Sequence, residues 1–513
     1  MPKYDAVVIG AGNGGLAAAC RMALAGKKTL LVERHNLPGG CASSFRRGRF
    51  EFETALHELC EWGTPENSGN CRNTVVEEYG VPLKGCIVPE YFRVITTASD
   101  GKTHIDAVLP CGVEAFTDRM EELVPGCRKS IEDFFAIGKE CLDAGNYSLS
   151  VNGKTDNKYM MEHFPNFLKV GSYSVNKVFK ALKMPALAQD IMNTYWGYLA
   201  IDADRLSYLQ YSNMVNLYVR HGAWIPDKTS HELTTGMLER FRAMGGDAWF
   251  DCTAEQILFD DDKAVCGVQT NRGVIETKHV LCNGNPSMVY ATMVPPEVIP
   301  ERMIKLANAR KHCARMFVVY LGLDKSAEEL GLTDYSIFMP DSADSVKEYN
   351  SGKTLETNNN MVSVCYNAVN KNFSPPGTCV LSLTTLYMED AWADVKEEDY
   401  VATKNRIARR MIDKFEKTLG VEITPYIEEI EVATPWTMCR FVNTPQGSAY
   451  GYELDDWDSM MARMRMMSTE NQVKGLKFVG AASIRGDGYN SAIFSGSTMA
   501  KLTLADMKKE EEG

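Results

Sequence analysis

The feature that most constrains the fold is a strand, a glycine-rich turn, a helix and a second strand near the start of the chain. An apolar run that ends at Ile9 predicts the first strand, and residues 16–25 are rich in alanine and leucine, which favours a helix. Gly26 follows as a helix C-cap, and residues 29–32 predict the second strand. This order is that of a βαβ unit in an α/β fold.

The turn of this unit carries glycines at Gly10, Gly12 and Gly15, with Gly14 beside the last. In a dinucleotide-binding turn the first glycine permits the tight turn, and the second lets a pyrophosphate approach the backbone. The third allows the helix and the strand to touch. Because the N–H groups at the start of the helix are free, they can bind phosphates. The turn therefore predicts a dinucleotide site.

An acidic residue stands where such a site needs one. Glu33 ends the second strand, 18 residues after Gly15. We expect its carboxylate to accept hydrogen bonds from ribose hydroxyls, which favours an adenosine without a 2′-phosphate. Arg34, next to it, is a further candidate for cofactor binding. The alternative is a glycine turn in a generic α/β unit that binds no nucleotide.

A second glycine pair, Gly39 and Gly40, follows this strand. Such a pair is required where the backbone passes close to a ligand or adopts a positive φ. A domain that binds nicotinamide alone has no need of it, so the pair favours FAD over NAD. A glycine turn before a hairpin is the alternative.

Residues 7–33, the Gly-Gly-Cys of residues 39–41 and the sequence RFEFETALH of residues 49–57 resemble the family of phytoene desaturases, carotenoid isomerases and retinol saturases, in the flavin amine oxidase-like superfamily. The resemblance implies that Gly40, Cys41 and Ser44 lie in the segment that binds the adenine-side ribose, the pyrophosphate and the ribityl chain of FAD.

Two later segments are also similar to this family. In the first, a series of short strands, the family's backbone at the position of Ala254 meets the adenine. In the second, Gly480 ends a strand, and Asp487 and Gly488 open a helix whose N–H dipoles would stabilise negative charge on a reduced flavin. The resemblance places Asp487 on the ribityl or phosphate side, and a simple helix N-cap is the alternative.

The segments that resemble FAD-binding ones are separated by insertions, which predicts a discontinuous Rossmann-like FAD-binding domain, a mixed α+β substrate domain and a helical insertion. The expected ranges are 1–70, 229–290 and 470–513 for the FAD-binding domain, and 71–228 and 291–469 for the substrate-binding region, with a helical part at about 155–220. This helical part is rich in aromatic residues and methionine, which suit a pocket for a flat hydrophobic ligand or an ordinary core.

Candidate catalytic residues come from two places. His57 is the histidine nearest to the FAD motifs, with Glu58 adjacent, and an imidazole can act as acid or base near neutral pH. A core or loop histidine is the alternative. Residues 433–451 match a stretch that lies near the flavin in the family, which implies that Arg440 and Tyr450 are cavity residues.

We therefore expect an FAD-dependent oxidoreductase that saturates, desaturates or isomerises a carbon–carbon double bond in a hydrophobic polyene, isoprenoid or other lipid-like substrate. One alternative is a flavin amine oxidase, in which Cys439 would be the candidate for covalent attachment of the flavin. The other is a protein that binds FAD and catalyses nothing.

Composition and charge limit the classes of partner and the cellular location expected for this chain. The 513 residues include 55 Lys and Arg against 67 Asp and Glu, a net charge of −12, and no cationic block, so no nucleic acid is expected. The 15 cysteines are scattered without a CxxC pair, and the histidines lack ligand spacing, which predicts a reducing, cytoplasmic location and no metal. No signal peptide or membrane span is expected.

A methionine cluster at 455–470 is interpreted as a partly buried helix or as a lip at a membrane surface. The electron partner and the oligomeric state stay open.

Overall fold

The fold is taken from a computed structural model of the chain, in which residues 2–151, 154–458, 462–463, 472–486 and 488–512 are described. The strands are β1 Ala6–Ile9, β2 Thr29–Val32, β3 Ser44–Arg47, β4 Phe50–Glu53, β5 Gly85–Val88, β6 Glu90–Thr97, β7 His104–Pro110, β8 Ala223–Pro226, β9 Asp247–Trp249, β10 Ala254–Phe259, β11 Val265–Thr270, β12 Gly273–Glu276, β13 Val280–Cys282, β14 Arg315–Leu323, β15 Ser336–Phe338, β16 Val362–Cys365, β17 Cys379–Tyr387, β18 Ile427–Ala433 and β19 Leu476–Phe478.

The α-helices lie between these strands along the chain, several of them in succession between β7 and β8. They are α1 Asn13–Leu24, α2 Asn70–Arg72, α3 Val113–Leu123, α4 Arg128–Ser150, α5 Asn157–His163, α6 Pro165–Val170, α7 Val175–Ala181, α8 Ala186–Asn193, α9 Tyr208–His221, α10 Ser230–Ala243, α11 Pro286–Thr292, α12 Glu301–Ala309, α13 Ser345–Ser351, α14 Tyr400–Leu419, α15 Pro435–Val442 and α16 Tyr489–Glu512. Among the described residues, none of these helices combines the length and the apolar character needed to cross a bilayer.

A five-stranded parallel sheet in the order β19-β13-β1-β2-β9 contains the predicted βαβ unit. Its central strands are apolar and buried, as expected where both faces are covered. Helices α1, α10 and α16 cover one face, and the antiparallel sheet β10-β11-β12 packs against the other. Helix α1 begins at Asn13, three residues before the sequence placed it, because Gly14 and Gly15 adopt the helical conformation.

A second, seven-stranded sheet has the order β18-β14-β17-β16-β15-β6-β7 and is antiparallel except between β15 and β6. Side chains of β14 alternate between its two faces. Phe317 and Val319 pack toward α14, whereas Val318 and Tyr320 join the core beneath the helical region. The sheet therefore has helices on both sides.

The helical region begins earlier than the sequence analysis placed it. Helices α3 and α4 precede the expected start near residue 155, and α4 packs along α9. Phe134 of α4 contacts Tyr208 and Tyr211 of α9 through ring edges, with centroids 5.8 and 6.1 Å apart. The boundaries between the expected domains stay a prediction.

The contact between β1 and α1 depends on Gly15. A Cβ atom placed there would lie 1.8 Å from the carbonyl oxygen of Gly10. We expect Gly15→Ala to lower the free energy of unfolding by about 1–3 kcal/mol, because the turn must open to admit the methyl group. Chemical unfolding measures this change. Gly197→Ala is the control, since a Cβ at Gly197 meets nothing within 4 Å, and equal stability of the two variants would contradict the prediction.

Candidate functional site

One cavity of about 890 Å³ runs from the carboxyl ends of the parallel strands to the seven-stranded sheet. At one end it is lined by residues that follow β1, β2 and β13, including Gly10, Glu33 and Asn283. At the other end it reaches Tyr198 of the helical region and Thr384 of β17. Ligands of open α/β sheets bind beyond the carboxyl ends of the strands, so the position suits a nucleotide.

The first glycine turn forms one wall of this cavity. Gly10, Gly12 and Gly14 line it, and Gly15 packs behind them against Gly10. No side chain among the described residues caps the first turn of α1, whose N-cap is Gly12. The free N–H groups of this turn therefore face the cavity, as phosphate binding requires.

Glu33 and Arg34 lie at the end of β2 and also line the cavity. The Glu33 carboxylate accepts hydrogen bonds from the backbone N–H groups of Ala11 at 2.6 Å and His35 at 2.8 Å. Each oxygen retains a lone pair for a ribose hydroxyl. The exposed Arg34 guanidinium donates to the carbonyl oxygen of Arg440 at 3.3 Å, which joins the end of β2 to α15.

The second glycine segment lies beside the first. Gly39 donates its N–H to the carbonyl oxygen of Ala11 at 2.8 Å. Gly40, Cys41 and Ser44 all line the cavity. The hydroxyl of Ser44 donates to Glu51 at 2.6 Å, and the carbonyl oxygen of Cys41 accepts from the hydroxyl of Tyr489 at 2.6 Å. The contact through Tyr489 ties this segment to the first turn of α16.

The two later segments reach the same space. Ala254, at the start of β10, and Gly488, directly before α16, both line the cavity. Gly480 lies behind the lining, because a Cβ at Gly14 would meet the Gly480 backbone at 2.6 Å. Asp487 falls outside the described residues. The N-termini of α1 and α16 thus face one cavity, together with backbone that glycines leave free of side chains. This arrangement fits a dinucleotide with two phosphates.

His57 lies at the opposite end of the cavity, half-buried. Its Nδ1 is 3.2 Å from the hydroxyl of Tyr198, and its Nε2 is 3.3 Å from the hydroxyl of Thr384. Burial lowers the pKa of His57 from 6.5 to about 4. The imidazole is therefore neutral at pH 7, where it can accept a proton or relay one but holds no spare proton.

Glu58 is buried and lines the cavity next to His57. Its Oε1 accepts from the hydroxyl of Tyr198 at 2.7 Å and from that of Tyr195 at 3.3 Å. Its Oε2 is buried and has no hydrogen-bond partner among the described residues. Burial raises the pKa of Glu58 from 4.5 to about 7, although the two tyrosine hydroxyls oppose the shift. A good part of this carboxyl is therefore protonated at neutral pH.

Four tyrosines fix the backbone that carries His57 and Glu58, a role that the sequence does not predict. Their hydroxyls donate to carbonyl oxygens of residues 54–58: Tyr320 to Thr54 at 2.6 Å, Tyr366 to Leu56 at 2.6 Å, Tyr335 to His57, and Tyr218 to Glu58 at 3.2 Å. They come from β14, the residue before β15, a 3-10 helix directly after β16, and α9, so no local pattern links them to the site. We call this group the tyrosine cage.

The remaining candidates lie in different places, and only one of those that the structure describes lines the cavity. Tyr450 lines the cavity, whereas Arg440 lies exposed on α15, outside the lining, with its guanidinium 5.7 Å from the ring centre of Phe441. Cys439 is also outside the lining, and its thiol donates to the carbonyl oxygen of Thr444 at 3.5 Å. The methionines of the 455–470 cluster fall outside the described residues. No group of three or more His, Cys, Asp or Glu side chains in the described part could hold a metal ion.

Comparison with known proteins agrees with this geometry. The family of NAD(P)-binding Rossmann-like domains matches residues 8–76. The all-trans-retinol 13,14-reductase of Danio rerio is 24% identical over 87% of this chain and 77% of its own. The chloroplastic prolycopene isomerase of Daucus carota is 23% identical over 99% and 81%, and the lycopene-forming phytoene desaturase of a Paracoccus strain is 21% identical over 98% and 97%.

This chain is a homologue of these enzymes. The predicted resemblance is thereby confirmed. The fold class is confirmed as well: cyclohexylamine oxidase of Brevibacterium oxydans superposes with a TM-score of 0.63 over 99% of this chain and all of its own, at 13% identity. At 13% identity this likeness shows the fold alone.

The pKa of Glu58 has a consequence for stability. Because the folded-state pKa of about 7 lies above the ordinary 4.5, the folded protein binds an extra proton between these values, and its stability falls as pH rises through that window. Between pH 5 and pH 8 the free energy of unfolding of the wild type should therefore fall by up to about 3 kcal/mol more than that of Glu58→Gln, which has no carboxyl to titrate at this position. Urea unfolding at both pH values measures the difference, and identical pH profiles would contradict the assignment.

Proposed function

We propose that the protein is an FAD-dependent oxidoreductase that acts on a carbon–carbon double bond of a hydrophobic substrate, by saturation, desaturation or cis–trans isomerisation. The observation that carries this proposal is one cavity that joins a glycine-lined end to the buried carboxyl of Glu58 and the half-buried imidazole of His57. The relatives, a retinol reductase, a prolycopene isomerase and a phytoene desaturase, support the same class of chemistry.

FAD would be held by three parts of the chain, mostly through backbone. The first turn of α1 would bind the pyrophosphate, Glu33 the ribose, Ala254 the adenine side, and Gly40 and Gly488 would border the flavin half. Bound FAD supplies the acceptance or donation of a hydride equivalent. The protein must then hold the substrate against it, exclude water and move the accompanying proton.

The lining supports an apolar substrate. Side chains between the nucleotide end and the seven-stranded sheet are mostly aliphatic or thioether groups, and such groups adapt to flat hydrocarbon chains. They include Leu199, Met214, Leu217, Met316, Val362, Leu386 and Met438.

Glu58, Tyr198 and His57 would handle the proton. Glu58 holds a proton near neutral pH because its carboxyl is buried. Tyr198 contacts both the Glu58 carboxyl and the His57 imidazole, so its hydroxyl can pass a proton between them. If Tyr198 donates to Glu58, then His57 donates from Nδ1 to Tyr198 and accepts from Thr384 at Nε2. The substrate carbon next to the one that gains or loses the hydride would receive a proton from this group in saturation and give one to it in desaturation.

A flavin amine oxidase stays the alternative within enzymes, and a binding protein without turnover the alternative outside them. Cys439 was the candidate for covalent attachment of the flavin, and its thiol lies outside the cavity lining. We expect acid precipitation of the holoprotein to leave all of the yellow colour in solution. Colour retained in the pellet would favour the amine oxidase alternative.

The pyrophosphate assignment is tested at Gly12. A side chain there would enter the space left by the turn, where a Cβ would lie 2.7 Å from the side-chain Nδ2 of Asn283. We expect Gly12→Val to lose the absorbance of bound FAD in purified, folded protein. Gly197→Val, at the other end of the cavity, is the matched control and should keep it. Full FAD occupancy in Gly12→Val would overturn the assignment.

The proton-handling role is tested at His57. We expect His57→Ala to bind FAD normally and to slow turnover by about 10²-fold, because one member of the acid–base group is lost. The measurement is reoxidation of the photoreduced, anaerobic holoprotein on stopped-flow mixing with polyenes, enones and amines. His104→Ala, an exposed histidine on β7, controls for loss of a ring.

Each result of this mixing experiment decides between functions. Reoxidation by an alkene supports the proposal, and reoxidation by amines alone supports the amine oxidase. If no compound reoxidises the flavin, a binding protein is favoured. An unchanged rate in His57→Ala would remove this residue from the mechanism.

A further inference from the structure

Two cysteine side chains contact one amide group at the start of α16. The Nδ2 of Asn490 donates to the sulfur of Cys60 at 2.8 Å, and the Oδ1 of Asn490 accepts from the thiol of Cys71 at 3.5 Å. The same Nδ2 also donates to the carbonyl oxygen of Cys60, which agrees with this orientation of the amide. Both cysteines are thiols in this structure. The proton-handling group described above uses neither of them.

The backbone segments that carry these cysteines are in direct contact. The carbonyl oxygen of Glu61, which follows Cys60, accepts from the backbone N–H groups of Gly69 at 3.2 Å and Arg72 at 3.4 Å, on either side of Cys71 in the chain. Gly69 permits this approach, because a Cβ there would lie 2.8 Å from the Cα of Glu61. A disulfide between the two cysteines requires such contact, since it spans only about 4.4–6.8 Å between Cα atoms.

The two thiols differ in their access to the cavity. Cys60 is half-buried and lines the cavity, whereas Cys71 is buried on α2, outside the lining. Burial and the nearby Glu61 carboxylate hold the pKa of the Cys71 thiol well above the ordinary 9.0, so this thiol stays protonated. The sulfur of Cys60 accepts from an amide N–H beside a helix N-terminus, which favours a thiolate. Cys60 can therefore react with a group in the cavity, and Cys71 can resolve the product.

The pair lies at the end of the cavity proposed for the flavin. Asn490 is the second residue of α16, two residues after Gly488, and both line the cavity with Cys60. Arg485 lines the cavity as well, and its guanidinium is 3.3 Å from the Glu61 carboxylate. Its positive charge acts on the thiol of Cys71 by lowering the pKa, against the larger effect of burial. A positive charge here favours both a thiolate and a reduced flavin.

We propose that Cys60 and Cys71 form a redox-active pair that exchanges two electrons with the flavin. When the pair is oxidised, both S–H bonds break, one S–S bond forms, and two electrons and two protons pass to the oxidised flavin. In the reverse direction the reduced flavin returns them and the disulfide opens. The inference rests on the proposed function in that it requires FAD in this cavity, and it adds a second reaction that involves no alkene.

Peptide mapping reads the state of this pair directly. Trypsin cleavage after Arg49 and Arg72 releases residues 50–72, a peptide that contains Cys60 and Cys71 and no other cysteine. The air-oxidised holoprotein is denatured in iodoacetamide and digested, and the peptide masses are measured. We expect this peptide to be two hydrogens lighter than its reduced form and to carry no alkyl group. A dialkylated peptide from the air-oxidised holoprotein would overturn the proposal.

Illumination tests the exchange with the flavin. Light and EDTA reduce the flavin of the anaerobic holoprotein without any thiol reagent, and the sample is then denatured anaerobically in iodoacetamide. We expect the peptide of residues 50–72 to carry two alkyl groups, because the reduced flavin has opened the disulfide. The same mixture kept in the dark should retain the disulfide. A disulfide that persists beside fully reduced flavin would show that no exchange occurs and that the proposal is wrong.

Variants count the electrons. On anaerobic titration with dithionite, the oxidised wild type should consume two more electrons per flavin than Cys60→Ser or Cys71→Ser. Cys365→Ser is the control, because Cys365 and Cys379 are another pair of buried cysteines in side-chain contact, outside the cavity lining. The control should consume as many electrons as the wild type. Equal consumption by the wild type and Cys60→Ser would contradict the proposal.

The outcomes separate this proposal from the one on which it rests. If FAD is bound and the disulfide opens on illumination, but no alkene reoxidises the flavin, the cysteine pair is supported and the alkene assignment fails. If alkenes reoxidise the flavin but the peptide of residues 50–72 stays reduced in air, the alkene assignment stands and the cysteine pair fails. If the folded protein binds no FAD, both fail.

Discussion

Hydrogen bonds to residues 53–58, made by both backbone and side-chain atoms of this segment, hold the two halves of the cavity in position. The Glu53 carboxylate accepts from the backbone N–H of Ser230 at 2.6 Å, which anchors this segment to the start of α10 beside the parallel sheet. From the other side, the tyrosine cage binds its carbonyl oxygens and ties it to β14 and the helical region. Without these contacts the nucleotide end and the end that holds His57 and Glu58 would be free to move relative to each other, and a misplacement of about 1 Å can slow a reaction by about 10²-fold.

Three carboxyls of residues 53–61 are close in sequence, and each has different partners. Glu53 is bound by a helix N-terminus, Glu58 by two tyrosine hydroxyls, and Glu61 by the guanidinium of Arg485 at 3.3 Å. No cation is among the partners described for Glu58, so burial dominates and the pKa rises to about 7. The same burial lowers the pKa of the neighbouring His57 to about 4. Opposite shifts on adjacent residues produce a protonated acid beside a neutral base, a pairing that proton transfer requires.

Local patterns in the sequence were enough for the nucleotide half. Strand β2 has the predicted bounds, and β1 and α1 are within a few residues of theirs, because glycine positions and apolar runs determine them. The substrate half could not be predicted in this way. Thr384 and Tyr320 reach the cavity only through the pairing of β14 with β17, which no short pattern encodes. Arg440 shows the opposite limit: a matched motif placed it near the flavin, but the turn of α15 directs its side chain to solvent.

The packing of α1 against α16 has a consequence for biosynthesis. Gly496 leaves no room for a side chain against Gly14, and Arg21 bonds Ser497, a residue 476 positions later. At translation rates of about 5–20 residues per second, roughly 24–95 s separate the emergence of these two helices from the ribosome. During that interval the face of α1 that packs against α16 has no cover from that helix, and apolar surface exposed in this way during synthesis favours aggregation.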